Sequence, residues 1–382
     1  MQKKTLFLSL IIFAWISITL PNYATDFLNA DEIIKMQLEM FDWQEIEQLE
    51  EQLPYDFDLR SEVSKILTGE RIFSLPETLS LIVNLLAGEV YGYASVVVRF
   101  IFIVLLCHIL NNLSSAFESK NTTKVAFFVC NIVVLYSVSQ SLVLIVTLAQ
   151  DTIHSLSQIM LVVLPTLLAF MATSGYIATS SALSPVIVSA LTMVTFIIQN
   201  FMLPTIISII VLQIISNMSD EFKIDNFIKL FYKMSKWFLK TIFFVSLGIM
   251  GIYKMSLPYV DVTMKRVGLT LGAKFIPILG DAIGGAIDFI IQVSGMIKNA
   301  FGIGVILWIV LIIAMPLAKM FVYTVLYHFA GAIIEPLGDK KMSKIATDIA
   351  KGCEFIMSLV GMVAILCIVA LVICMSIGAS LL

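Results

Sequence analysis

Residues 267–304 read VGLTLGAKFIPILGDAIGGAIDFIIQVSGMIKNAFGIG. The stretch is apolar, yet it does not read as a uniform membrane-spanning helix. Glycines recur at Gly268, Gly272, Gly280, Gly284, Gly285, Gly295, Gly302 and Gly304, and Lys274, Asp281, Asp288 and Lys298 interrupt the run. Pro277 removes a backbone donor and restrains Ile276. The pairs Gly268/Gly272 and Gly280/Gly284 leave bare strips where two helices can approach closely. Each glycine also weakens an isolated helix by about 0.8–1 kcal/mol. The stretch therefore predicts short, broken helical pieces packed against other helices or a second copy of the chain. An amphipathic surface loop is the competing reading.

The surrounding chain says what kind of protein holds this stretch. Of 382 residues, 59% are hydrophobic and only 13% charged, which excludes disorder and argues against an ordinary soluble enzyme. Apolar runs of about 20 residues recur from Gly92 onward, the pattern of an all-α, polytopic membrane protein embedded in a lipid bilayer. A net charge of −3 gives no footprint for nucleic acid. The five cysteines, Cys107, Cys130, Cys353, Cys367 and Cys374, form no CxxC or His-paired cluster, so neither a disulfide framework nor a zinc site is read.

Three divisions follow. Residues 1–24 carry Lys3 and Lys4 before an apolar run, as in a signal peptide, cleaved or retained as an anchor. Residues 25–91 read as a small, acidic, helical domain outside the cytoplasm. One helix is expected over Ile34–Leu53, ended by Pro54, and a second over about Leu59–Leu67, stopping at Gly69. Residues 92–382 form the multi-pass domain, with candidate spans Tyr93–Phe117, Val125–Ala149, Ile153–Ala172, Pro185–Ser216, Trp237–Leu257, Ile303–Ile334 and Phe355–Gly378.

Pro185–Ser216 would extend about 48 Å as helix against a hydrocarbon core of about 30 Å. It and Ile303–Ile334 are read as kinked or re-entrant, with Pro204 and Pro316 as kink candidates. Lysine bias sets the orientation. With the acidic domain outside, Thr173–Ser184 returns to the cytoplasm, Pro185–Ser216 is a hairpin, and Ser219–Lys236 stays inside. Pro258–Gly302 then lies outside and Lys340–Lys351 inside. The Ser219–Lys236 segment interleaves Phe222, Phe227, Leu230 and Phe231 with lysines. It reads as an amphipathic helix on the inner leaflet or as a short helix packed on its own bundle.

The motifs of catalysis are missing: no GxxxxGK[ST], HExxH or GxSxG occurs, and His108, His154 and His328 are far apart in sequence. No enzymatic dyad and no cofactor are expected. Lys319 stands inside an apolar run, where ionisable groups are expensive.

Three patterns together, Ala273-Lys-Phe-Ile-Pro-Ile-Leu-Gly280, Lys298-Asn-Ala-Phe-Gly302 and Ile334-Glu-Pro-Leu-Gly-Asp339, resemble the stage III sporulation protein AE family. The likeness makes Phe275, Pro277, Gly280, Lys298, Asn299, Gly302, Pro336, Gly338 and Asp339 packing or pore candidates, together with Gly284 of the bare strip. It implies a channel or export-platform subunit, in a secretion-like apparatus joining mother cell and forespore, in the mother-cell membrane around the forespore. It also implies partners: other stage III membrane and ring proteins, the forespore protein Q, and a separate cytoplasmic ATPase, in a homo- or hetero-oligomer. A stand-alone ion-coupled transporter and a non-conducting scaffold are the alternatives.

Overall fold

Lipid offers no partner to a backbone N–H or C=O, so long apolar runs must satisfy their polar groups as helix. The computed structural model of the chain obeys this rule. It describes residues 30–39, 43–51, 57–69, 94–95, 97–109, 120–218, 224–256, 259, 261, 280–337 and 340–377, and these contain no strand.

Among the described residues three short helices come first: α1 (Ala30–Glu39), α2 (Gln44–Glu51) and α3 (Leu59–Thr68). The single helix expected over 34–53 is thus two helices, with Trp43 between them donating its Nε1–H to Leu38 O at 2.7 Å. Pro54 lies outside the described residues. The second helix matches its expectation: Asp58 caps α3 by accepting from Ser61 N at 2.9 Å, and Gly69 closes it at φ 71°. Glu50 Oε1 accepts from Leu59 N at 2.8 Å and ties α2 to α3.

The rest of the described chain is a bundle of long helices. A short apolar helix, α4 (Val97–Ile109), precedes α5 (Lys120–Thr173). Next come α6 (Ile177–Ile197), a wide π turn (Ile198–Met202) and α7 (Leu203–Met218), then α8 (Asp225–Ser256), α9 (Gly280–Ile334) and α10 (Lys340–Ser376). Among the described residues five stretches are long and apolar enough to cross a membrane: Ile132–Thr173, Ile177–Asn217, Asp225–Ser256, Asp288–Ile334 and Lys340–Ser376. The protein is a multi-pass helical membrane protein. Helices of 32 to 55 residues run about 48–82 Å, well beyond a hydrocarbon core of about 30 Å, so they tilt or project from it.

Polar contacts identify the two ends of the bundle. At one end Lys344 Nζ meets Asp225 Oδ2 at 2.9 Å, Ser216 Oγ donates to Asp225 Oδ1 at 2.9 Å, and Asn217 Nδ2 donates to Asp348 Oδ2 at 2.9 Å. Lys229, Lys233, Lys340, Lys341 and Lys351 lie near it, and it is called the basic end below. At the other end Asp261 accepts from Ala178 N at 2.9 Å and Thr179 N at 2.8 Å, capping α6. The short N-terminal helices pack there on α9: Trp43 meets Phe301 edge-on at 6.0 Å, and Phe57 stacks on Trp308 at 6.0 Å. The helices therefore alternate in direction, α5 away from the basic end, α6–α7 back, α8 away, α9 back, α10 away.

α10 is the most enclosed helix, buried by α9, α5 and α7. Close approach is bought by missing side chains. A Cβ on Gly352 would collide with Ile210 of α7, and one on Gly302 with Met375 of α10.

Four expectations are corrected. Residues 280–304 are neither broken pieces nor a loop but the first half of α9, because packing against α10 and α3 outweighs the glycines' weak propensity. Val125–Ala149 and Ile153–Ala172 are one helix, since no Gly or Pro separates them and residues 150–152 simply continue the turn. Pro185–Ser216 is not a hairpin: backbone angles stay helical through the π turn. Of Ser219–Lys236, residues 219–223 with Phe222 lie outside the described residues, and from Asp225 onward the segment is not a separate surface helix but the first part of the long helix α8. As a consequence the Thr173–Ser184 turn lies at the end holding the N-terminal helices, opposite the lysines.

Candidate passage-lining face

The register between α5 and α9 is fixed at two points. Tyr327 Oη donates to Ser141 Oγ at 2.6 Å, and Phe170 packs on Phe301 at 5.5 Å. The helices are antiparallel. Asp151 stands ten residues after Ser141, and Lys319 eight residues before Tyr327. At 1.5 Å per residue these are about 15 Å and 12 Å from the same bond, in the same direction. An acid and a base thus reach nearly the same depth in adjacent spanning helices.

Both line one groove of about 670 Å³, open at the bundle surface, with Tyr136, Ser139, Gln140 and Thr147 and the apolar Val143, Leu144 and Leu148 of α5. The neutral groups spend hydrogen bonds on their own helix: Ser139 Oγ donates to Leu135 O at 2.8 Å, and Gln140 Nε2 to Tyr136 Oη at 2.7 Å. Asp151 is exposed and Lys319 half-buried. Charged groups on the outer face of a spanning helix are costly against lipid. Such a face is stable where another subunit or water covers it.

A second polar tract runs along α6 and α7 through exposed Ser181, Pro185, Ser189, Thr192, Asn200, Pro204 and Ser208. The π turn keeps it on one face. Pro204 has no N–H for the carbonyl of Asn200 and its ring would crowd that oxygen in a regular helix. The backbone widens instead, and Leu203 N bonds Ile198 O, five residues back. The wider turn admits about one extra residue, setting α7 back by about 100° and returning Pro204 and Ser208 to the side of Ser181. Pro204 is thus realised as a phase shift. Pro316 lies inside continuous α9.

The remaining candidates from sequence separate into groups. Lys298 and Gly302 both meet the last turn of α10, and Asn299 lies beside Lys298 in sequence. Lys298 Nζ donates to Ile377 O, Gly302 receives Met375, and Asn299 Oδ1 is enclosed with no hydrogen-bond partner among the described residues. A cation at the carboxyl end of a helix complements its dipole, so Lys298 acts as a clasp on α10. Pro336 lies exposed in the 3₁₀ turn Glu335–Leu337 near the basic end. Gly280 and Gly284 fall in the first turns of α9. Phe275, Pro277, Gly338 and Asp339 lie outside the described residues. Asp151, Gln140 and Thr147 were not singled out from sequence. Their signal is visible once 120–173 is one helix, because they then share its outer face.

The family model for stage III sporulation protein AE matches residues 57–378, most of the chain. The chain belongs to the stage III sporulation protein AE family. Stage III sporulation protein AE of Bacillus subtilis (strain 168) is 25% identical over 319 residues, covering 84% of this chain and 80% of the relative. No solved structure matches the chain. Membership of the stage III sporulation protein AE family carries a role in endospore development.

Proposed function

We propose that this family member is a non-enzymatic channel or export-platform subunit of a complex linking mother cell and forespore, in the mother-cell membrane around the forespore. The supporting observation is the α5–α9 groove, with Asp151 and Lys319 at one depth on a face that lipid alone would cover at high cost. In this reading the groove faces water or neighbouring subunits of the assembly, which include other stage III membrane and ring proteins and the forespore protein Q. The driving energy comes from a separate cytoplasmic ATPase. The lysine-rich end faces the mother-cell cytoplasm, by the bias of basic residues toward that side.

Cysteine substitution tests the groove. Gln140→Cys and Thr147→Cys in sporulating cells should react with a small water-soluble thiol reagent, and the reaction should arrest spore maturation. Unreactive cysteines at both positions, with Ser181→Cys reacting in parallel, would remove the wet passage from the reading. Reaction without any effect on maturation would do the same.

A further inference from the structure

We infer that α8 and the start of α10 form a binding site for an anionic phospholipid at the basic end of the bundle. Lys229, Lys233, Lys236 and Lys240 are all exposed. At 100° per residue they fall within about 60° of one another, a single strip along an upright helix. The strip borders the seam with α10: Tyr232 Oη donates to Lys351 O at 3.4 Å, and Lys236 Nζ lies 4.4 Å from the Tyr232 ring centre and 5.9 Å from that of Phe355. Lys233, Lys236 and Lys240 have no ion pair among the described residues, whereas Asp225 is taken by Lys344 at 2.9 Å.

Two features select a lipid over an acidic protein. The first is what lies beside the strip. Leu230, Met234, Trp237 and Phe238 are exposed on the adjoining face of α8, Trp237 at 68%. One molecule can therefore place its phosphate on the lysines and its acyl chains on the neighbouring aromatic surface, which an acidic polypeptide would leave uncovered. The second is depth. Lys229 to Lys240 rises about 16 Å, more than one headgroup layer of about 5–8 Å. Side chains of a helix lean toward its N-terminus, here the basic end, so Lys236 and Lys240 reach back toward a phosphate at the edge of the hydrocarbon. Anionic headgroups are attracted to basic clusters of this kind beside spanning helices.

The test uses the full chain in vesicles and the fluorescence of Trp237, isolated as the difference between wild type and Trp237→Phe. At equal mole fraction, brominated phosphatidylglycerol should quench this difference signal at least two-fold more than brominated phosphatidylcholine. The preference should vanish when Lys229, Lys233, Lys236 and Lys240 are all changed to Gln, and persist when all four are changed to Arg. Equal quenching by the two lipids in wild type overturns the proposal and leaves the strip to an acidic partner. A preference that survives the four Lys→Gln changes overturns it as well.

Discussion

Tyr327 and Ser141, 186 residues apart in sequence, share a buried hydrogen bond of 2.6 Å that sets the depth of α9 against α5. Phe100 of α4 packs edge-on against the same tyrosine at 5.5 Å, and Tyr323 stacks one turn away at 6.4 Å. Tyr327→Phe keeps these ring contacts and removes only the bond. The expected loss is about 0.6–1 kcal/mol of unfolding free energy in a bilayer or detergent. A double-mutant cycle with Ser141→Ala should return a coupling of the same size. Strictly additive single changes would mean that the bond contributes nothing to the register.

Two glycines one helix apart should respond in opposite ways. A Cβ on Gly331 would lie 2.8 Å from Thr347 Oγ1 and 3.2 Å from the Ser343 carbonyl oxygen, while one on Gly361 would meet nothing within 4 Å. Ser343 Oγ also donates to Gly331 O at 2.9 Å, so this crossing has little room to open. Gly331→Ala is expected to cost about 1–3 kcal/mol through overpacking. Gly361→Ala should be neutral or gain up to about 1 kcal/mol from helix propensity. Unfolding curves in one detergent decide the comparison. Equal effects at the two sites would show that the α9–α10 crossing is looser than these distances imply.

Glu50 offers a pH-dependent test away from the membrane. Burial raises its pKa, partly offset by the hydrogen bond from Leu59 N, with Asp58 and Glu47 adding repulsion. A carboxyl raised in the folded state favours folding fully below its unfolded pKa, about 4.3. That contribution is lost as pH rises through the raised value. Glu50→Gln keeps the acceptor for Leu59 N and removes the charge. It should therefore stabilise the N-terminal helices at neutral pH, with the gain fading below about pH 4.3. Thermal unfolding followed at both pH values measures it. A gain that does not shrink on acidification would assign the effect to something other than titration.

The turn between α5 and α6 carries the sharpest topological test. Ser181 and Asn226 are both exposed and lie at opposite ends of the bundle. In right-side-out spheroplasts, Ser181→Cys should react with an impermeant maleimide, and Asn226→Cys should react only after permeabilisation. The reverse pattern would turn the whole bundle over. Reaction of both from one side would break the alternation of α6–α7.

The class of fold was legible in the apolar runs, but the number of crossings was obscured by chance. Val125–Ala149 and Ile153–Ala172 each match a bilayer in length, so Gln150, Asp151 and Thr152 between them read as a boundary. Only the packing of Ser141 and Phe170 on one partner helix reveals a single rod. Counting two spans there and a hairpin at Pro185–Ser216 leaves the chain on the same side as one span followed by another. The two departures cancel, and everything after Met218 keeps its expected orientation. The candidate face was hidden by the same split, because Gln140 and Asp151 belong to one helical surface only when the helix is continuous. The glycines of 280–304 misled for a different reason. Propensity describes an isolated helix, whereas Gly302 and Gly304 lie where Met375, Leu59 and Val63 press against the backbone.

The π turn ahead of Pro204 has a practical corollary for genetics. It works as a one-residue spacer in a rotating cylinder. Relaxing it to regular pitch with Asn200 still present would swing everything from Leu203 to Met218 through about a quarter-turn or slightly more, whereas deleting Asn200 at the same time would cancel the swing. In the first case Ile206, Ile210 and Ile214, which now face inward, would be carried off the axis of the bundle, and Gly352 would lose its occupant. A codon lost within the wide turn therefore leaves α7 in phase, while one lost elsewhere in α6, with the turn intact, does the damage of a reshuffled sequence.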